Sequence, residues 1–142
     1  MRQKSDAQKY LEQVERIDAI IANKLIEKQQ WRDLALGITA NMGGERVQSS
    51  GDASKMAEAI NKCVDVEAEI NVLIDRLIET KKDVIHTLEK LDSPTEYRLL
   101  HMRYIQYKNL WQIAEECGKE YGWATTTHGR AIASVQSVLD AK

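Results

Sequence analysis

The sequence has no phenylalanine, a single proline at Pro94, two cysteines and seven glycines in 142 residues. With so few chain breakers, and without the β-branched alternation of strands, a sheet protein with frequent tight turns is excluded, and long uninterrupted helices are the natural alternative. Cys63 and Cys117 form no CxxC pair and no disulfide framework, so both are expected as thiols in a reducing compartment. No run approaches the roughly 18 apolar residues of a membrane span, and the opening MRQKSDAQKYLEQ has no apolar signal-peptide core. The expectation is a cytoplasmic protein without a membrane partner.

Charge of one sign is also missing. Lys and Arg number 20 against 22 Asp and Glu, a formal net charge of −2 with a pI near 5.9. Binding nucleic acid through bulk charge is therefore excluded, and any such contact must be local. The balance shifts along the chain: residues 1–92 carry 14 basic and 17 acidic groups, and residues 93–142 carry 6 and 5. At this length the chain is expected to hold one modest core, or a helical hairpin with an appendage, and not a large enzyme core.

What is present is helical periodicity. From Ser5 onward, Tyr10, Val14, Ile17, Ile21, Leu25, Trp31 and Leu34 or Ala35 recur at steps of three and four, with Glu12, Arg16, Lys24 and Glu27 between them. Ser5 with Gln8 three residues later predicts a capping box. The period breaks over NMGGERVQSSGDAS, residues 41–54. A second helix is predicted beyond it, capped by Asp52 or Ser54, with Met56, Ile60, Cys63, Ile70, Leu73 or Ile74, Leu77, Val84 or Ile85, Leu88 and Leu91 on its apolar face. Each helix is about 35 residues and roughly 50 Å long. Neither can bury such a stripe alone, so an antiparallel, coiled-coil-like hairpin is expected, serving oligomerisation or partner binding.

At LDSPTEYRLL, residues 91–100, Ser93 is a natural N-cap, Pro94 fits the first helical position, and Glu96 completes a capping box. A new unit of three short helices begins there. Leu99, Leu100, Arg103 and Tyr104 mark the first; Ile113, Ala114 and Cys117 mark the second, ended by Gly118 in the left-handed conformation. The third begins near Gly122 or Trp123. Its inward face is Ala124, Thr127 or His128, Ala131, Ile132 and Val135, which leaves Trp123, Thr125, Thr126, Gly129 and Arg130 toward solvent. A small alanine where two short helices cross predicts a helix-turn-helix.

MRY at 102–104, WQIAEECG at 111–118 and RAI at 130–132 resemble region 4 of bacterial sigma-70 factors, with the same interval between the Ile-Ala pair and the Arg-Ala pair. The resemblance covers about the last 50 residues. It departs at Ala124, where the family has Val, and at His128, where it has Leu. With the hairpin, the GERVQSSGD loop and the HGRA run, the whole chain also resembles short phage and prophage proteins related to the ArpU and RinA type regulators of late transcription. The resemblance implies an all-α fold with a hairpin over 1–92 and a DNA-binding helix-turn-helix over 93–142. It implies transcriptional control through double-stranded DNA, with RNA polymerase as a further partner. Nothing resembles the promoter-melting helix of sigma region 2.

The candidate DNA-binding residues are Lys108, Asn109, Lys119, Tyr121, Trp123, Thr125, Thr126 and Arg130, with Arg130 the best single phosphate or base contact. Two alternatives share the pattern: a terminase-type DNA-packaging recognition subunit, and a structural or anti-regulatory helical protein that binds only protein. The loop from Gly44 to Asp52 lacks the GK[ST] ending and preceding strand of a P-loop, so no nucleotide or other cofactor is expected. Cys117, His101 and His128 lack the tight spacing of metal ligands, and His86, Glu67 and Asp75 read as solvated flanks. No Ser-His-Asp or Cys-His arrangement points to catalysis.

Overall fold

A computed structural model describes residues 3–42 and 50–142, with the side chains of all of these but 38–42, 50 and 52. Every regular element among them is helical. Two long helices, α1 (Asp6–Met42) and α2 (Ser50–Leu88), precede three shorter ones: α3 (Pro94–Leu100), α4 (Leu110–Glu116) and α5 (Tyr121–Asp140). A single π-helical turn, His101–Ile105, continues α3. None of these helices is long and apolar enough to cross a membrane. Most of the loop from Gly44 to Asp52 lies outside the described residues. Its end does not: α2 is already helical at Ser50, so Asp52 and Ser54 lie within the first turn or so and are not caps.

The chain divides into two compact units, residues 18–76 and residues 1–17 with 77–142. The change in charge balance falls at residue 92, but packing divides the long helices well before that, because their open ends share a core with the tail.

In the unit of residues 18–76, Lys24 Nζ lies 2.7 Å from Glu69, Lys28 Nζ lies 3.7 Å from Glu67, and the Cys63 thiol donates to the Lys28 carbonyl at 3.7 Å. Early positions of α1 thus meet late positions of α2, an antiparallel pairing. The seam runs through Ile21, Lys24, Lys28, Trp31 and Ala35 of α1 and Met56, Ala59, Cys63, Val66, Ile70 and Leu73 of α2, all buried or half-buried. Both sets step by alternating threes and fours, the 3.5-residue rhythm that keeps one face on its partner. Two expected core positions are corrected here: Leu25 and Ile60 are exposed, and Leu34 yields to Ala35. Leu25, Leu34 and Ile60 are large apolar residues at helical spacing, and apolarity alone selects them. The seam instead passes through two lysines, whose aliphatic stems cover apolar surface while their ammonium groups reach acidic partners.

The second unit holds the larger core. Ala7, Leu11 and Val14 of α1 and Val84 and Leu88 of α2 pack with Leu99, Leu100, Met102, Tyr104, Ile113, Ala131 and Val135. Tyr10 donates to Asp83 at 2.6 Å and its hydroxyl lies 2.8 Å from Thr87, an arrangement that satisfies the buried Thr87. Burial and the Asp83 hydrogen bond push the Tyr10 pKa up to about 12. Near the α1 N-terminus, the Ala7 amide donates to Gln136 of α5 at 3.0 Å, and the Gln8 amide donates to Ser5 Oγ. Two otherwise unpaired N–H groups of the first turn are satisfied this way. No buried side-chain nitrogen or oxygen among the described residues lacks a partner.

Ser93 caps α3 as its position predicts, accepting from the Glu96 amide at 3.2 Å, with Pro94 in the first turn. Glu96 does not return the bond. Its carboxylate accepts from the Ser134 hydroxyl of α5 at 2.5 Å, so a residue of the cap ties α3 to α5. Between α3 and α4 the backbone turns through Tyr107 at φ 61°, a left-handed conformation rare outside glycine. Both cysteines are free thiols.

Candidate nucleic-acid interface

The exposed end of the tail is built by α4 and α5. Asn109 starts α4 with a complete capping box: its side chain accepts from the Gln112 amide, and Gln112 accepts from the Asn109 amide, both at 2.9 Å. Ile113 and Ala114 then point inward and are buried. Gly118 ends the helix at φ +64°, and the Lys119 amide donates back to the Ala114 carbonyl at 2.8 Å. This backbone reversal needs the left-handed region, which glycine enters without the Cβ penalty. After Glu120 the chain enters α5, which packs on α3 and α4 through Ala124, Thr127, Ala131 and Val135. Small side chains at Ala114 and Ala124 permit the close crossing.

That inward face fixes what points outward. Gly122, Thr125, Thr126, Gly129, Arg130 and Ala133 are all exposed. Gly122 and Gly129 are seven residues apart on one side of α5, and a Cβ at either would meet nothing within 4 Å. Internal packing therefore gives no reason for glycine at either place, although each costs about 1 kcal/mol of helix stability relative to alanine. The Thr125 hydroxyl donates to the Gly122 carbonyl at 2.9 Å. Its proton is committed to the helix, and Thr126 is the freer donor.

The predicted site residues separate into two groups. Lys119, Thr126 and Arg130 are exposed, and among the described residues no carboxylate pairs with Lys119 or Arg130. The anticipated pairing of Arg130 with Glu116 or Glu120 does not form; Glu116 takes Lys108 at 2.7 Å. Lys108 and Asn109 are thus occupied, one by an ion pair and one by its capping box. Trp123 is corrected from an outward to a half-buried position: it packs on the core and lines a small recess with Thr95, Arg98, Leu99, Cys117 and Lys119.

Trp111 is a further surface aromatic, outside the candidate residues named from the sequence. Its ring stacks on Tyr121 with centroids 4.0 Å apart and planes 10° from parallel, and Trp111 remains 66% exposed. The pair joins the start of α4 to the start of α5 across the turn. The signal was available: within WQIAEECG, Trp111 lies off the face set by Ile113 and Ala114.

Beneath the outer face, Tyr104 Oη lies 2.7 Å from His128 Nε2 and the rings stack with centroids 5.8 Å apart. Burial holds the His128 pKa below its ordinary value and pushes Tyr104 up to about 12, so a neutral imidazole against a neutral phenol is the stable pair near pH 7. His101 is bonded to Gln106 and is also lowered, chiefly by burial. Among the described residues no group of three His, Cys, Asp or Glu side chains gathers as a metal site would require. No protein-family model matches the chain, and neither a curated protein nor a solved structure matches it.

Proposed function

We propose that the chain is a DNA-binding regulator of phage or prophage transcription, a long antiparallel helical hairpin joined to a sigma region 4-like helix-turn-helix. In this reading α4 and α5 are the two helices of the motif, Gly118 is its turn, and α5 lies in the major groove. The observation that carries it is the outer face of α5. Two glycines without a packing reason leave its backbone open to close approach, and Thr126 and unpaired Arg130 stand beside them. Arg130 supplies charge and a planar donor fork suited to phosphate or guanine. Thr126 supplies a hydroxyl for a phosphate oxygen and a methyl for thymine. Lys119 adds a second cation from the turn.

Because the tail carries only one net positive charge, its binding must draw on shape and these few contacts more than on bulk attraction. The hairpin is the self-association or partner element, with RNA polymerase a further candidate partner. The test is fluorescence anisotropy of the full chain against fragments of the parent genome at two salt concentrations. A fragment bound tighter than bulk DNA supports the regulator. Uniform weak binding, or none, moves the protein-binding alternative ahead. Assembly size separates the regulator from a packaging subunit, since a dimer suits the former and a ring of about eight or more the latter.

A further inference from the structure

The face of α2 that α1 leaves uncovered carries a second repeat. Ile60, Val64, Glu67, Asn71 and Ile74 follow one another at steps of four, three, four and three, each one residue beyond a seam position. The seam is covered. The second stripe is not: Ile60 is 44% exposed, Val64 59% and Ile74 39%. In an antiparallel pair the flanks following the seam's first position lie on one side of both helices, which places Leu25 and Leu36 of α1, 52% and 58% exposed, beside this stripe. The opposite flank of α2 carries Lys62, Glu69 and Arg76 with one exposed apolar residue, Val72, so the repeating apolar stripe of α2 lies on one side.

Three properties identify what covers it. A 3.5-residue repeat fits a helix laid nearly parallel or antiparallel to α2, as at the existing seam. Its apolar side chains stand 39% to 59% exposed, surface of the kind that the core of an interface buries. Finally, the stripe is self-complementary. Turned end for end about the height of residue 69, it sets Val64 opposite the partner's Ile74, Ile74 opposite the partner's Val64, and Glu67 opposite the partner's Asn71. A parallel arrangement would set Glu67 against the partner's Glu67, two like charges in an apolar surround.

We propose that two copies of this chain associate through this stripe, α2 against α2 in antiparallel orientation about a two-fold axis. Glu67 keeps Lys28 at 3.7 Å and accepts from the partner's Asn71 amide. As the polar pair of the stripe, Glu67 and Asn71 fix its register, as a single polar layer does in a coiled coil. The inference is independent of what the tail binds.

The test is sedimentation velocity of the full chain without DNA, over a range of concentrations. The parent chain is expected to form a concentration-dependent dimer, and Val64→Glu to weaken it on the order of a hundredfold, as loss of a central contact does. Asn71 is exposed, so its substitutions leave the single chain folded and separate the orientations. Asn71→Lys meets the partner's Glu67 twice and should tighten the dimer roughly tenfold, and Asn71→Glu should loosen it by as much. A parent chain that stays monomeric at high concentration overturns the proposal. So does a dimer indifferent to Val64→Glu, or one loosened by both Asn71 substitutions, the result of parallel pairing. A dimer that behaves as expected but binds no DNA leaves the inference standing and removes the regulator reading.

Discussion

Replacing Arg130 by alanine separates the fold from its proposed use. The side chain is exposed, has no ion-pair partner among the described residues, and lies on the face of α5 opposite Ala124, Ala131 and Val135. Its loss removes almost no packing, and alanine favours helix, so the melting midpoint should move by no more than about 0.5 kcal/mol of stability. Binding should change by much more. If Arg130 grips a guanine edge, the loss is about 1 to 3 kcal/mol, roughly 5-fold to 150-fold, and falls on one position of the DNA site. If it neutralises one phosphate, the loss is shared by every sequence and the salt slope drops by about 0.9. Between 50 and 200 mM salt that change makes the variant's affinity fall about 3.5-fold less than the parent's. Anisotropy at the two salt concentrations, against matched and single-base-altered fragments, distinguishes the cases. If Arg130→Ala binds the preferred fragment as tightly as the parent with the same slope, α5 does not present this face to DNA.

Adding bulk at the same face tests close approach: a Cβ at position 129 meets nothing within 4 Å and the position is exposed, so Gly129→Leu should preserve or raise thermal stability while lowering DNA affinity at least tenfold, as competing titrations would report. Ile70→Asp should cost about 3 kcal/mol or more in urea unfolding, because it places an unpaired carboxylate in the seam where Ile70 is 5% exposed; an unchanged midpoint would contradict the seam. Gly118→Ala should cost about 1 kcal/mol through the left-handed conformation alone, since space for the methyl is available. Burial lowers the His128 and His101 pKa values in the folded chain, so their stabilising contribution is complete above the unfolded value of about 6.5 and is lost as pH falls below it. Thermal melts at pH 7.5 and 5.5 should show that loss, and Tyr104→Phe/His128→Leu should reduce it.

The sequence discloses element type more readily than packing partner. A three-and-four rhythm with few breakers dictates two long helices, and Ser93 with Pro94 dictates the start of α3, because these signals are local to the backbone. Gly118 is legible for the same reason. Which residue of a turn enters the seam is not local. Ala59 is buried and Ile60 exposed because the 3.5-residue repeat fixes position before hydrophobicity is consulted, and a reading by apolarity moves to the larger neighbour. The same error conceals the second stripe, since Ile60 placed in the first seam, with Ile74 left as an alternative to Leu73, cannot also mark a second. Tyr107 at positive φ and the π turn before it carry no compositional signal.

His128 shows how a departure from a resembling pattern is resolved by a second departure in space. A leucine there would bury only carbon, whereas an imidazole beneath the outer face of α5 requires a partner for its inward nitrogen. Tyr104, from the MRY run 24 residues earlier, supplies it at 2.7 Å, and the ring stacking replaces part of the lost aliphatic contact. Neither residue is interpretable alone, since Tyr104 is among the most deeply buried side chains and its hydroxyl would be stranded without His128. The pair therefore fixes the rotation of α5 against the turn that follows α3. Because that rotation determines whether Arg130 and Thr126 face outward together, Tyr104→Phe should weaken DNA binding more than its cost to stability accounts for. The double variant Tyr104→Phe/His128→Leu, which restores an apolar pair, should recover both. Recovery of stability without recovery of binding would mean that His128 contributes to the interface itself, and no recovery of either would mean that the pair does not set the rotation of α5.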